Sequence, residues 1–317
     1  MHAGGPLLDV IEWLLDSDPA IRWQVMRDLT DAPADEVAAE RANVATNGWG
    51  ARLLAAQDAD GRWSGGTYFP EWASTAAVLH QLYLFGLDPN SEEAKRAIAP
   101  VDDAARWEYD TELRFFQGEV EPCINGRTVA IGAYFGQDVK GIVDRLLNDQ
   151  MADGGWNCEQ ENGSTRGSFD STINVLEGLL EYERSAGANG EVRAARERGE
   201  EYLLERRLLH RLSDGEIPQK RWLYVGFPNS WFYDVVRAVD YFRSARSVFD
   251  DRMGEALEIV ESKRDGDGRW GLDHAYHEGL IVDFGDVEGQ PSRWITLRAL
   301  RALRWAGRPV QVAPAVA

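Results

Sequence analysis

Four side chains in this sequence have types that do chemistry: Cys123, Asp170 and Asp234, which fall in helix-like segments near their starts, and Cys158, which falls in a loop between two such segments. Two thiolates with one or two carboxylates make a chemically reasonable zinc site, ideally with an open coordination position for catalysis. A carboxylic acid such as Asp170 or Asp234 could instead donate or accept a proton, and a donor at neutral pH needs a pKa raised by burial. The sequence therefore offers two kinds of active site, a metal centre and a general acid.

A second set of side chains near helix starts would suit an anionic or hydrophobic ligand. Arginines occur in the first two turns of four segments, with aromatic residues at the same level: Arg22, Arg127, Arg237 and Arg293, and Trp23, Trp72, Trp231, Tyr233 and Trp294. Arginine forks bind diphosphate or carboxylate, and aromatic faces stabilise carbocations. The same residue types also brace neighbouring helices and fill cores, so both interpretations stay open.

Helical periodicity dominates the sequence and alternates between apolar and amphipathic segments. Six segments are apolar on several sides, as buried helices are: 19–30, 71–86, 122–136, 169–184, 229–244 and 291–307. Six more polar, amphipathic segments alternate with them: 7–16, 35–57, 91–105, 137–150, 191–209 and 250–263. Each pair takes roughly 50 residues, which is typical of a helical hairpin repeat.

This alternation predicts an all-α fold in which six inner and six outer helices close into an (α/α)6 barrel, or toroid. An open solenoid is the alternative, but the inner segments are too uniformly apolar for an exposed concave face. We expect one barrel domain over residues 1–307 and an irregular tail over 308–317. The long loops precede the inner helices, so we expect the active end where those helices begin.

Charge and composition exclude several classes of partner. The formal net charge is −19, whereas nucleic acids and anionic membrane surfaces attract basic proteins. No run of about 18 apolar residues is present, so we expect no transmembrane segment. The sequence shows no signal-peptide pattern and contains only 2 cysteines, and from these features we expect a cytoplasmic protein.

Three stretches repeat one turn element: 57–63, 150–156 and 263–270. Each ends a helix-like segment with a polar side chain, an acidic glycine turn and a tryptophan: Trp63, Trp156 or Trp270. These turns resemble the QW motif of squalene–hopene cyclases, with Lys263 at roughly the Gln position of the third. The whole chain is similar in organisation to the terpenoid-cyclase and protein-prenyltransferase superfamily, whose members share the (α/α)6 toroid. The resemblance implies that these tryptophans are structural and tie outer helices together.

The same resemblance implies a hydrophobic, isoprenoid-type substrate in a central aromatic cavity. Squalene-type cyclases protonate an alkene with an Asp-x-Asp-Asp motif, and class I terpene synthases hold magnesium with a DDxxD box. The sequence contains neither motif. Its adjacent aspartates, Asp102-Asp103 and Asp250-Asp251, fall on predicted outer helices, where we expect them to be solvated.

Similarity to the prenyltransferase β-subunits implies a zinc site. Those enzymes hold zinc with Asp-x-Cys at the start of one inner helix and His at the start of a later one. Glu121-Pro122-Cys123 has the same acid-x-Cys spacing, and the next inner helix has Asp170 in its first turn. With Cys158 in the loop between them, the implied ligands are Glu121, Cys123, Cys158 and Asp170.

The match to that zinc site is incomplete because the expected histidine is missing. His274 or His277, in the loop before the last inner helix, could substitute if that loop folds over the mouth of the barrel, whereas His80 falls in mid-helix and is expected to pack. Prenyltransferases use a second subunit, so the resemblance also leaves room for a partner chain.

The sequence leaves three functional hypotheses open. The first is a terpenoid-cyclase or prenyltransferase-like protein that acts on or binds an isoprenoid-type substrate, with Asp170 or Asp234 handling the proton. The second is a zinc enzyme that activates a thiol or water through Cys123 and Cys158. The third is a toroid without catalytic activity that binds a hydrophobic ligand or a partner protein. A fourth, a carbohydrate-active (α/α)6 enzyme with Asp170 and Asp234 as its two carboxylates, is disfavoured by the QW-like turns.

Overall fold

The structure, a computed structural model, describes residues 6–187, 190–275 and 279–310. This part of the chain is mostly helical, as the sequence predicts. It contains fourteen α-helices: α1 (Pro6–Leu15), α2 (Pro19–Asp28), α3 (Ala34–Ala42), α4 (Gly48–Ala55), α5 (Thr75–Phe85), α6 (Glu92–Ile98), α7 (Val101–Ala104), α8 (Pro122–Tyr134), α9 (Lys140–Asn148), α10 (Phe169–Ala186), α11 (Gly190–Glu205), α12 (Val235–Ala245), α13 (Gly254–Ser262) and α14 (Arg293–Trp305). Strands within these residues are limited to β1 (Gly226–Phe227) and β2 (His274–Ala275), which pair in parallel with Gly226 opposite His274.

The six apolar segments correspond to α2, α5, α8, α10, α12 and α14. Three of these helices begin two to six residues later than predicted, because a capping side chain sets the first turn. Ser74 accepts a hydrogen bond from Ala77 N at 3.4 Å, Asp234 from Arg237 N at 2.8 Å, and Ser292 from Ile295 N at 3.3 Å. The periodicity therefore locates the helices, and local polar caps fix where they start.

The amphipathic segments are less continuous than predicted. Segment 35–57 forms both α3 and α4, because the N-terminus of α4 turns on Gly48 at a φ of +66°. A Cβ there would collide with Asp18, whose carboxylate accepts hydrogen bonds from Trp49 N at 2.7 Å and Ala20 N at 2.9 Å. Segment 91–105 is likewise divided into α6 and α7 at Pro100, which has no N–H to donate.

The apolar helices contact one another in chain order, and the last returns to the first. Contacts join α5 to α8, α8 to α10, α10 to α12, α12 to α14, and α14 to α2. Hydrogen bonds join α2 to the end of α5: Trp23 Nε1 donates to Phe85 O at 2.8 Å, and Gln24 Nε2 to Leu84 O at 3.2 Å. Arg301 of α14 donates to Gln24 Oε1 at 2.9 Å. These helices therefore form a closed cycle of contacts.

The three tryptophan turns have the same hydrogen bonds, and all three indoles are fully buried. Each indole Nε1 donates to a carbonyl in the preceding amphipathic helix: Leu53 O (2.8 Å), Leu146 O (2.7 Å) and Val260 O (2.6 Å). The backbone N–H of each tryptophan donates to a threonine hydroxyl in the first turn of the next apolar helix: Thr75 (3.2 Å), Thr172 (3.1 Å) and Thr296 (3.0 Å). Trp63, Trp156 and Trp270 are therefore structural, as expected, but each ties an amphipathic helix to the next apolar helix and not to another amphipathic helix.

The polar residue of each turn distinguishes the third copy from the first two. Gln57 Nε2 donates to Ala97 O of α6, and Gln150 Nε2 donates to Ala195 O of α11, both at 2.8 Å. Each glutamine thus ties one amphipathic helix to the next one. Lys263 instead forms an ion pair with Asp273 at 2.7 Å.

Candidate metal centre

The candidate centre forms where a loop meets the start of α8. Pro122 is in the first turn of α8, and Cys123 follows it. Cys158 lies in the loop after the second tryptophan turn, and its N–H donates to the Ser171 hydroxyl in the first turn of α10 at 3.1 Å. Trp156 anchors the same loop to Thr172. The tryptophan turn and the serine together place Cys158 against Cys123, 35 residues earlier.

The ligand atoms of Glu121, Cys123 and Cys158 all lie within 4.8 Å of one another. The two sulfurs, both of free thiols, are 2.9 Å apart, and Cys123 Sγ is 3.5 Å from Glu121 Oε2. The Ser171 hydroxyl donates to Cys158 Sγ at 3.3 Å. Cys123 is buried, Cys158 half-buried and Glu121 exposed, so the group opens to solvent on its carboxylate side.

The two thiols differ in acidity. Their mutual hydrogen bond is the largest influence on both: it raises the pKa of Cys123, to which burial adds, and it lowers the pKa of Cys158. The Ser171 hydroxyl helps to lower the pKa of Cys158. Cys158 is therefore the thiol that ionises first.

Asp170, which the resemblance implied as a fourth ligand, lies outside this group. Its Oδ2 accepts from Arg221 Nη2 at 2.6 Å, and its Oδ1 accepts from Tyr233 N at 2.8 Å. Burial nevertheless raises the pKa of this carboxyl. Of the two histidines considered as replacements, His274 is in β2 beside Glu288, with 3.7 Å from Nδ1 to Oε2, and His277 lies outside the described residues.

Asp234, the second predicted acid, is buried at the N-cap of α12. Burial raises its pKa to about 6, although hydrogen bonds from Arg237 N and the Asn229 side chain oppose the shift. With Asn229, Arg221 and His274, it lines a cavity of about 280 Å³. A carboxyl with these properties can hold a proton near neutral pH beside a space large enough for part of a ligand.

The structure divides the four predicted arginines into two pairs. Arg127 and Arg237 are buried in the interior. Arg22 instead pairs with Glu40 at 2.6 Å, and Arg293 donates to Trp13 O at 3.2 Å and Asp16 O at 3.0 Å. Arg22 and Arg293 thus connect apolar helices to their amphipathic neighbours.

Arg127 also takes part in a chain of contacts that joins the beginnings of three apolar helices. Its Nη1 donates to the hydroxyl of Ser230, just before α12, at 3.3 Å. That hydroxyl is 3.4 Å from Oε1 of Glu71, just before α5. Arg127 Nε is buried and has no hydrogen-bond partner in the described part of the chain. Glu71 and Ser230 were not identified from the sequence, because neither is near Arg127 in the chain.

The predicted aromatic residues do not form a single wall. Tyr233 is buried against Phe169 and Trp222, and its hydroxyl donates to Leu208 O at 2.6 Å. The others lie elsewhere. Trp294 stacks on Phe227 and Trp231 lies against Phe232, with ring centroids 4.3 Å and 4.1 Å apart. The Trp72 carbonyl accepts a hydrogen bond from Gln81, and the Trp23 ring lies under Arg27 and Arg41. Buried His80 stacks on Tyr83, as expected of a packing residue.

No protein-family model matches this chain, and no curated protein is similar to it in sequence. In the described residues, no helix combines the length and apolar character needed to cross a membrane.

Proposed function

We propose that this chain is a zinc-dependent enzyme in which Glu121, Cys123 and Cys158 hold the ion. The observation that carries the proposal is the convergence of two thiols and a carboxylate within 4.8 Å. Zinc prefers sulfur and carboxylate ligands of this kind, and a catalytic zinc typically has three protein ligands and one open position. The exposed side at Glu121 leaves room for a water molecule or a substrate thiol.

The electrostatics of the cluster favour a bound cation. Two ionised sulfurs 2.9 Å apart, with a carboxylate oxygen 3.5 Å from one of them, would repel one another strongly in a partly buried site. A divalent cation offsets this repulsion and ionises both thiols. Bound there, zinc would lower the pKa of a coordinated water or thiol and so supply a nucleophile at neutral pH.

We also propose that the helices form an (α/α)6 toroid of the terpenoid-cyclase and prenyltransferase kind. The closed cycle of contacts among the six apolar helices supports this, as does the meeting of Arg127, Ser230 and Glu71 from three helix starts. The zinc centre would then lie at the end where the inner helices begin. By the resemblance stated above, the substrate would be hydrophobic and of isoprenoid type.

A second candidate function, favoured by the raised pKa of Asp234, is an isoprenoid cyclase-like reaction that needs no metal. A carboxyl with a pKa of about 6 is a suitable proton donor to an alkene. In that case Cys123 and Cys158 would be packing residues. A toroid that only binds a hydrophobic ligand or partner is the remaining alternative.

Metal analysis of the purified, tag-free protein under reducing conditions decides between these candidates. We expect about one zinc per chain, lost in Cys123→Ser and in Cys158→Ser. Glu121→Gln should bind zinc at least about tenfold more weakly, while Glu159→Gln, an exposed acid beside Cys158, should keep full affinity. Circular dichroism checks that each variant is folded. Zinc content unchanged in both serine variants, or no zinc uptake by the wild type, would exclude the metal centre and leave the Asp234 mechanism and the binding toroid.

A further inference from the structure

A cavity at the other end of the apolar helices has not yet been given a role. Its volume is about 320 Å³, and residues from α2, α5, α8, α10, α12 and α14, mostly in their C-terminal halves, line it. Cys123 and Tyr134 lie at opposite ends of α8, so the cavity is about 16 Å along the helix axis from the cysteine cluster. The two sites are therefore separate.

The charge of this cavity is opposite to that of the protein. Seven arginines line it, and only three acids do: Arg27, Arg41, Arg184, Arg237, Arg243, Arg298 and Arg301, with Glu177, Glu181 and Asp240. The protein as a whole has a formal net charge of −19. A concentration of positive charge inside a strongly acidic protein has an electrostatic cost, and it is the arrangement that binds anions.

The acids at or beside the cavity pair with some of the arginines but are fewer than they are. Glu177 pairs with Arg237 at 2.6 Å, Asp28 with Arg27 at 2.6 Å, and Glu181 lies 3.6 Å from Arg184.

Asp240 accepts hydrogen bonds from both Arg243, at 2.9 Å, and Arg301, so one carboxylate serves two guanidinium groups. Burial raises the pKa of Glu181, although Arg184 and Arg41 oppose the shift. Burial, followed by the charge of Arg301, lowers the pKa of Arg243. Like charges are thus crowded together in a buried place.

Several arginines around this cavity still have N–H groups to offer. Arg243 donates through Nε to Asp240 and through Nη2 to Ser244 Oγ at 2.9 Å, which leaves its Nη1 without a hydrogen bond among the described residues. Arg41 is held by Gly86 O at 2.8 Å and Tyr134 Oη at 2.7 Å through Nε and Nη2, and its Nη1 likewise has no such bond. These guanidinium groups are fixed in position before a ligand arrives.

We infer that this arginine-lined cavity binds a small polyanion of the phosphate type, such as a diphosphate or a phosphorylated metabolite. Arginine forks match phosphate oxygens in charge and geometry. The volume lies in the range of small-molecule sites, and Trp23, Tyr83 and Tyr241 add aromatic surface to the walls. The alternative role for these arginines is to offset the negative ends of the helix dipoles, which requires no ligand.

Titration calorimetry with inorganic pyrophosphate at low ionic strength tests the inference. Arg27→Gln and Arg184→Gln remove charge from rim residues whose side chains are 45% and 47% exposed, so both variants should fold. Each should weaken pyrophosphate binding roughly tenfold. Arg114→Gln, a control whose side chain is 49% exposed and which does not line the cavity, should bind as the wild type does. Inorganic phosphate and citrate, titrated in parallel, distinguish a phosphate site from a carboxylate site.

Three outcomes would overturn the inference. One is no heat of binding for pyrophosphate in the wild type, another is equal binding by the wild type and both rim variants, and the third concerns the cysteine cluster. Cys123→Ser should bind pyrophosphate with unchanged affinity, because the cysteine cluster lies at the other end of α8. If binding disappears with that substitution, the anion is held by the metal centre and the cavity is not its site.

Discussion

Neutralising two buried aspartates, Asp234 at the N-cap of α12 and Asp240 within α12, should change the stability of the protein in opposite directions. The pKa of Asp234 is raised by burial to about 6, above its ordinary value of 3.8. Each pH unit between these values is worth about 1.4 kcal/mol. Ionised Asp234 therefore lowers the free energy of unfolding by about 3 kcal/mol at pH 8. Burial also opposes ionisation of Asp240, but Arg301 and Arg243 outweigh it and hold the pKa of that carboxyl well below its usual range.

The substitution Asp234→Asn replaces the ionised carboxylate by a neutral group of the same shape that can still cap α12 through its oxygen. At about pH 8 it should raise the free energy of unfolding by up to about 3 kcal/mol. The new NH2 group then faces the Asn229 Nδ2 donor, which offsets part of the gain. The gain should shrink as the pH falls below about 6 and vanish only below about pH 3, where wild-type Asp234 is protonated in both the folded and unfolded states. Asp240→Asn should instead cost about 3–5 kcal/mol at pH 8, because buried arginines lose their partner.

Urea unfolding of the wild type and both variants, followed by tryptophan fluorescence from about pH 4 to about pH 8, measures these differences. The urea concentrations at the unfolding midpoints should be compared only where the free energy of unfolding has the same dependence on urea concentration in each protein. A stability difference between Asp234→Asn and the wild type that does not change with pH would refute the reasoning. So would a loss at pH 8 as large as that of Asp240→Asn, since both results would mean that the Asp234 charge is well compensated in the fold.

Two further stability predictions concern the repeats and the helix packing. Gln150→Ala should lower the free energy of unfolding by about 2 kcal/mol, because it removes hydrogen bonds to Gly154 O and Ala195 O. Lys263→Ala, which removes only a solvent-facing ion pair, should lower it by less than about 1 kcal/mol. Equal losses for the two variants in urea unfolding would contradict this prediction. Gly126→Ala should cost more than about 3 kcal/mol, since a Cβ would collide with the backbone of Asn174 in α10. Its control, Gly141→Ala in α9, meets no atom within 4 Å and should be neutral or stabilising by thermal unfolding.

Apolar periodicity predicted the helices well, because burial on several sides requires it along the whole segment. The breaks in the amphipathic segments were missed for a different reason. Gly48 turns the chain at the start of α4 because Asp18, far back in the sequence, accepts a hydrogen bond from Trp49 N. The residues around Gly48 do not indicate that Asp18, 30 residues earlier in the chain, is the hydrogen-bond partner. The sequence pattern alone therefore predicts one continuous helix.

The same distinction explains what the sequence predicted about the site. Glu121 and Cys123 are neighbours in the chain, and the tryptophan turn places Cys158 close to a helix start, so all three could be proposed together. Asp170 was included because of its position in the first turn of α10, but Arg221, from a remote loop, engages its carboxylate. The arginine-lined cavity was missed because four of its seven arginines stand in last helical turns, where arginines usually have a solvated or dipole-related role.

The contact between α14 and α2 has a consequence for the order in which the molecule can assemble. During synthesis from the N-terminus, α2 and α12 both lack a packing partner until α14, which contacts each of them, has been made. Arg301, Gln24 and Asp28 meet across more than 270 residues of chain. Until that last helix emerges from the ribosome, apolar faces at both ends of the row of helices stay uncovered. Folding should therefore finish late, and a nascent chain stalled before α14 should be a target for chaperones that bind exposed apolar surface.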